Sequence, residues 1–536
     1  MSLPRRRILA STAAAVLAAT GTGARADGAR TAGARTGGGR TGGGRTGGGR
    51  PGARSAGGAG PDFGALGRAM DGRLVLPGDA DYAEARQLFQ PRYDTVAPAA
   101  VAYPAHAGDV AVCLDFARRS AAAVVPRGGG HSYAGWSTTA GALVVDTGAM
   151  AAVTADGDEV RVGAGARLAE VHEALAARGL GVPAGLCPSV GIAGLALGGG
   201  LGLGSRAYGT TSDRLSGARV VTPDGVVREV GADRDPDLYW ALRGGGGGNF
   251  GVVTELRLRT HPVGDAAYAE LHWPAGDSAA VVRGWQRWLG GLPDPFWSQV
   301  EFTVEAGRES VPALRAVCLD GRAELERELA RLTGLVGREP RDAWSAVRGY
   351  GDTVRAMAGC ADRGAGECRL PGRLPGRDPR GRLGRESYAA RSDFWDGGGL
   401  PDAAVAAVLA AIGRYGREVP GGGFGVVQLD GVCGGAVNRV PAAATAFVHR
   451  DSAFLAQYLA YWPRSAAPAE VVRHQGWLDG LWQDLRPWAG GRAYQNYADP
   501  GLAGWRGAYY GSNLPRLEEI RRAYDPGRLF RFPQAV

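Results

Sequence analysis

No cysteine pair in the chain is spaced as C-x-x-C, and no cysteine–histidine set has zinc-ligand spacing. Dithiol-redox and structural-zinc readings therefore have no support. There is no G-x-S-x-G elbow, and Ser132 and Ser189 lie in other contexts, so a serine-hydrolase reading fails. The apolar run Ile8–Ala19 is too short and too rich in alanine to span a bilayer. Net positive charge is absent from the body of the chain. Residues 1–60 hold ten arginines and one acid, Asp27, so of the formal +8 the remainder carries about −1. A nucleic-acid groove is unsupported.

What is present is a chain of 536 residues and 45% hydrophobic content, enough for a large core and two or more domains. It begins with an address. Basic residues at Arg5–Arg7, an alanine-rich middle and Ala24-Arg-Ala26 have the three parts of a signal peptide over 1–26. Arg5-Arg6 reads as a twin-arginine signal, which exports folded proteins; an ordinary secretory signal is the alternative. Residues 27–60 carry tandem Arg-Thr-Gly-Gly-Gly copies and no hydrophobic residue but alanine, the composition of a flexible linker. An exported chain is free to form disulfides. Among Cys113, Cys187, Cys318, Cys360, Cys368 and Cys433, Cys360 and Cys368 are nearest in sequence, and the connectivity is open.

Order is expected from about Asp62. Asp109 reads as the N-cap of a helix to Arg119, and Ala121–Pro126 as a buried strand. Leu168–Arg178 reads as a helix, and Pro223-Asp-Gly225 as the turn of a hairpin. Helices, strands and hairpins alternate, so the class is α+β. Three glycine-rich segments punctuate this block: 127–135, 191–204 and 243–251. Such runs expose backbone N–H groups that can cradle a diphosphate. Gly202-x-Gly204-x-x-Ala207 matches a Rossmann fingerprint formally, but no plain strand precedes it and no acid-ended strand follows. Alone, His131 reads as a satisfied loop histidine and Cys187 as an inert thiol.

Taken together, four motifs change that reading: R-G-G-G-H-S-Y-A-G from Arg127, P-A-G-L-C-P-S-V-G-I-A-G-L-A-L-G-G-G from Pro183, G-G-G-G-N-F-G-V-V-T from Gly245, and Y-Q-N-Y-A-D from Tyr494. In this order the chain resembles the berberine-bridge-enzyme-like FAD-linked oxidases over about residues 61–536. The resemblance implies a PCMH-type FAD-binding domain of two α+β subdomains (61–262), a substrate domain with an antiparallel sheet covered by helices (263–470), and a return to the FAD domain (471–536). It implies one FAD held bicovalently, with His131 on the 8α carbon and Cys187 on C6, since an imidazole nitrogen and a thiolate can add to an electrophilic ring. If Cys187 is so used, at least one of the other five thiols is unpaired. Further cofactor contacts implied are Arg127, Gly128, Gly129, Gly130, Ser132, Val190, Gly191, Gly194, Gly198, Gly248, Phe250, Gly251, Val253 and Asn496. Val190 is the residue type associated with oxidases.

The middle holds scattered aromatics, among them Trp273, Trp285, Trp288 and Trp297, whose default role is core packing. Cys360–Arg385 is rich in Gly, Pro and Arg and reads as a solvated inserted loop, with a lid as the alternative. On the strand read from Gly425, Gln428 and Asp430 share a face, and the family's glutamate base is missing from that segment. In related oxidases a tyrosine of the closing motif acts as base. Tyr494 matches it, with Tyr497 beside it; either is alternatively a strand core residue. The implied function is a secreted oxidase that removes hydride from an alcohol (a sugar hemiacetal or a secondary-metabolite hydroxyl) and passes electrons to O2, giving H2O2. The alternatives are oxidative cyclisation or dehydrogenation of a natural product by the same flavin, or a binding protein on a degenerate flavin fold. The expected partners are a small-molecule substrate and O2, without nucleic acid or membrane insertion. Oligomeric state is open.

Overall fold

The structure, a computed structural model, describes residues 61–419 and 421–536. The expected signal (1–26) and linker (27–60) lie outside the described residues. Among the described residues no helix is long and apolar enough to cross a membrane.

The first block folds as two main sheets and a two-stranded pair, Leu180–Gly181 with His261–Pro262. Leu143–Asp146 pairs in parallel with both Ala100–Tyr103 and Val124–Arg127, and Arg73–Val75 closes one edge antiparallel. The run Leu-Val-Val-Asp is buried at every position, as a parallel strand covered on both faces should be. Helix Ala107–Ser120 covers this sheet with Val110, Cys113, Leu114 and Ala117. Its N-cap is His106, whose ring accepts from the Asp109 N–H. Asp109 is therefore not the cap. It lies buried in the first turn and accepts from the N–H groups of Asp71, Gly72 and Ala105, which ties the preceding loop to the helix. The second sheet is antiparallel, in the order Val153–Asp156, Glu159–Gly163, Val252–Arg259, Leu215–Val221, Val227–Gly231. Its last hairpin turns at Gly225, where φ is +83°, a conformation that glycine adopts without strain.

The middle block is a seven-stranded antiparallel sheet, ordered Asp342–Gly349, Asp265–His272, Ala313–Cys318, Phe296–Val304, Phe424–Asp430, Phe454–Trp462, Ser387–Trp395. Helices Ser278–Leu289, Arg322–Val336, Asp402–Glu418 and Pro468–Leu485 cover one face. Trp273, Trp285, Trp288 and Trp477 are sealed between, so these tryptophans serve packing. The helix Pro468–Leu485 runs across the boundary expected at 470/471 and belongs to this layer. The other face of the sheet is free to address the first block.

The segment 359–385 corrects an expectation. It is not a solvated loop. Leu370, Leu374 and Leu383 are buried, and Leu374 packs with Val75, Tyr82, Val101, Tyr103 and Val144 of the first block. Glu84 accepts from the N–H groups of Arg373 and Leu374 at 2.9 and 2.8 Å, and Arg385 forks onto Asp94. A Cys360–Cys368 disulfide closes its start. Arginines that read as solvating instead clamp the strap to the first block, and three spaced leucines supply its apolar contact. The chain returns through helix Leu514–Tyr524, whose Leu517 and Ile520 enter the core of the first block. Phe530 lies beside Val124 in a parallel bridge.

Candidate active site

Two glycine loops meet with no room for a side chain. A Cβ on Gly129 would lie 2.2 Å from the Gly191 nitrogen, and one on Gly191 would lie 2.3 Å from the Gly129 nitrogen. The third glycine run joins them: Gly246 and Gly248 have φ of +85° and +79°. Gly128–Gly130, Gly191, Gly194, Gly246–Gly248 and Gly251 all line one cavity of about 480 Å3, within the range of about 300–1,000 Å3 usual for cofactor and ligand sites. The cavity is walled on one side by these loops and on the other by the free face of the seven-stranded sheet.

His131 and Cys187 both border it. The His131 ring stacks on Phe89 with centroids 4.1 Å apart, and its Nε2 is 2.9 Å from Ser189 Oγ. Burial, helped by the charge of Arg167, pushes its pKa down to about 3, so the imidazole is neutral at physiological pH. Burial also pushes the Cys187 thiol up to about 11, against hydrogen bonds from Ser189 and Val190. The thiol is protonated at neutral pH and must lose its proton when it reacts.

Of the other expected cofactor contacts, Ser132, Val190, Val253 and Asn496 also line the cavity. Arg127 borders it, but its guanidinium is committed to Asp146 and to the Ala85 carbonyl; it shapes the loop. Phe250 is 1% exposed and packs in the core with Leu242 and Leu517, away from the cavity, because alternate residues point to opposite sides of an extended chain. Gly198 is not among the lining residues; its missing Cβ makes room for Asn496, whose Oδ1 would otherwise sit 2.0 Å away.

On the sheet side, register builds a polar network. Strand Phe296–Val304 pairs with Phe424–Asp430 so that Gln299 faces Asp430 and Glu301 faces Gln428. Gln299 Nε2 donates to Asp430 Oδ1 at 2.7 Å, and Gln428 Nε2 donates to Glu301 Oε2 at 2.9 Å. Arg315 on the next strand donates to Gln299 Oε1 at 3.0 Å and pairs with Glu301 at 3.3 Å. Arg315 thus neutralises Glu301. Burial pushes the Asp430 carboxyl up to about 7, and the negative charge of Glu301 adds to the rise, while Gln299 and Arg315 oppose it. Such a group takes up or gives up a proton near neutrality.

Tyr494 and Tyr497 lie on a tight turn, Gln495–Tyr497 being 3-10 helical rather than strand. Tyr494 Oη accepts from the Gly200 N–H and from Asn496 Nδ2, both at 2.9 Å. Those donors favour the phenolate, yet burial outweighs them and raises the pKa. Tyr497 stacks on Tyr133 with centroids 5.2 Å apart and meets Tyr494 edge-on. Gln428, Asp430, Tyr494 and Tyr497 are all brought to the same cavity as His131 and Cys187.

Sequence reasoning missed Gln299, Glu301, Arg315 and Glu386. The signal for the first two was present: in Ser-Gln-Val-Glu-Phe from Ser298, polar residues alternate with apolar ones at strand period. Glu386 lines the cavity half-buried, and burial alone pushes it up to about 7.

Comparison with known proteins agrees with this geometry. A family model described as "FAD binding domain" matches residues 98–231, and one described as "Berberine and berberine like" matches 493–536. The chain is 31% identical over 480 residues to the uncharacterized FAD-linked oxidoreductase YgaK of Bacillus subtilis, covering 87% of this chain and 97% of that one. It is 30% identical over 464 residues to the xylooligosaccharide oxidase of Thermothelomyces thermophilus, covering 82% and 87%. The solved structure of Physcomitrella patens BBE-like 1 superposes with a TM-score of 0.77 at 27% identity, covering 88% and 98%. The chain belongs to the berberine-bridge-enzyme-like FAD-linked oxidoreductases. FAD is the cofactor of this oxidoreductase, and the cavity between the glycine loops and the sheet offers the exposed backbone and the close approach that suit it.

The contact between glycine loops gives a direct prediction. Gly129→Ala pushes Gly191 away and separates the loops, so the purified variant carries less flavin than the native protein. The ratio of flavin to protein absorbance measures this, and an unchanged ratio contradicts it.

Proposed function

We propose that the protein is an exported oxidase that removes hydride from an alcohol carbon, with FAD tethered by both His131 and Cys187. The observation that carries this reading is one cavity holding two nucleophiles together with carboxyls poised near neutrality, of which Asp430 stands on the substrate sheet and Glu386 just before its edge strand. FAD, when bound, supplies the hydride acceptor and passes the electrons to dioxygen. Everything else falls to the chain. His131 and Cys187 fix the ring system. Tyr133, Tyr388, Tyr461 and Tyr497 give the cavity aromatic walls suited to a sugar or an aromatic alcohol. Asp430 accepts the hydroxyl proton as hydride leaves the same carbon.

Asp430 is preferred to Tyr494 as base because it ionises near pH 7, whereas burial holds the Tyr494 phenol above its ordinary value. Tyr494, with its oxygen held by two N–H donors, orients the substrate oxygen through its O–H. A carbohydrate or secondary-metabolite alcohol is supported by relatives named xylooligosaccharide oxidase and chitooligosaccharide oxidase. Export by the twin-arginine route is supported by Arg5-Arg6 and the small residues at Ala24–Ala26, and the Cys360–Cys368 disulfide suits an oxidising compartment.

The base assignment is read from peroxide release across a panel of oligosaccharides and aromatic alcohols. For the substrate found, kcat/KM rises with pH through about 7 as Asp430 ionises. Asp430→Asn removes that limb and lowers kcat/KM by about 10²–10⁴-fold, whereas Tyr494→Phe leaves the limb in place. The opposite pattern reassigns the base to Tyr494. For export, replacing Arg5 and Arg6 together by lysine keeps the protein inside the cell; continued secretion contradicts the twin-arginine route.

A further inference from the structure

Ser189 has no part in hydride transfer, yet it stands between the two flavin-side nucleophiles. Its Oγ is 2.9 Å from His131 Nε2 and 4.0 Å from Cys187 Sγ. The residue is 5% exposed, and the turn that carries it is pinned. Val190 N–H donates to the Cys187 carbonyl, while the Pro188 and Val190 carbonyls accept from Ala169 and Leu168 at the start of helix Leu168–Ala176. The hydroxyl is thus held in place between imidazole and sulfur.

We propose that Ser189 is a positioning residue for flavin attachment, its hydroxyl fixing the His131 tautomer and hydrogen-bonding the Cys187 sulfur. The inference rests on the tethered-flavin reading above. One proton lies between His131 Nε2 and Ser189 Oγ. If the hydroxyl donates it, the neutral ring carries its own proton on Nδ1, and neither nitrogen has a lone pair to spend. If the ring donates it, Nδ1 keeps its lone pair and the hydroxyl proton turns to the sulfur. Only the second arrangement leaves both nucleophiles ready. Nδ1 makes no hydrogen bond among the described residues, and stacking on Phe89 fixes the ring plane, so the serine decides the tautomer. An O–H donated to sulfur also favours the thiolate, in the direction that Ser189 moves the Cys187 thiol.

The chemistry balances with dioxygen as oxidant. Each attachment makes one bond from Nδ1 or Sγ to a flavin carbon. One hydrogen leaves that carbon and one leaves the side chain, from Nε2 through Ser189 for the histidine and from the thiol for the cysteine. The electron pair freed by breaking the carbon–hydrogen bond reduces the flavin, and dioxygen takes two electrons and two protons as hydrogen peroxide.

The test follows attachment rather than turnover. Chain purified from flavin-starved cells is mixed with FAD in air, and covalent incorporation is timed by intact mass. His131→Ala and Cys187→Ala backgrounds isolate one bond each. Ser189→Ala is expected to slow both bonds at least about tenfold and to move the rate profile for the cysteine bond to higher pH. Ser189→Thr, which keeps the hydroxyl, is expected to restore both. Native rates and an unchanged pH profile in Ser189→Ala overturn the inference while leaving the tethered flavin intact. Equal slowing by Ser189→Ala and Ser189→Thr overturns it in favour of a packing role. No covalent flavin in the native chain overturns both readings.

Discussion

The site depends on one contact: two glycine loops pressed together until the Gly129 and Gly191 backbones touch. Any side chain at either position would push them apart. Because they meet, His131, four residues beyond the start of one loop, and Cys187, four residues before Gly191 in the other, come within reach of a single serine. Glycine costs conformational entropy in the unfolded chain, and that cost is placed where a ligand must be approached by bare backbone. The parallel sheet behind the first loop and the helix Leu168–Ala176 behind the second hold both in position.

The opposite wall is built on a different principle. Strands of the seven-stranded sheet send alternate side chains to opposite faces, apolar residues such as Val300, Phe302 and Leu429 into the helical layer and polar residues such as Gln299, Gln428 and Asp430 toward the cavity. A buried carboxylate is costly unless paired. Arg315 meets Glu301, and Gln299 and Gln428 satisfy what remains. Among the described residues Asp430 is left with an amide and no ion pair of its own, and burial brings it to titrate near pH 7. Pairing one acid and leaving its neighbour unpaired is how this wall obtains a proton acceptor. The strap 359–385 then fastens the substrate sheet to the flavin block through Leu374, Glu84 and the Arg385–Asp94 pair, which keeps the two walls at a fixed separation.

Much of the flavin side was legible in the sequence, because its constraints are local. A glycine run ending in histidine and a cysteine before a second run are written in consecutive residues. Phe250 and Gly198 were misplaced because motif membership does not tell which side of the backbone faces a ligand. The substrate side was less legible. Glu301 and Gln299 belong to the site through strand register with residues more than a hundred positions away, which no local spacing reveals. The strap was misread because composition rich in Gly, Pro and Arg looks solvated until the partners of its arginines are known. Asp109 was misread as a cap because His106, three residues earlier, takes that place.

The central claim is that both loops hold one flavin, and a peptide map of the purified native protein tests it. Trypsin cuts after arginine, so His131 falls in the peptide 128–161 and Cys187 in the peptide 179–206. The account predicts a single species in which these two peptides are joined through one FAD, and which neither peptide leaves under denaturing acid. Recovery of both peptides at their unmodified masses, with the flavin free in solution, would contradict it.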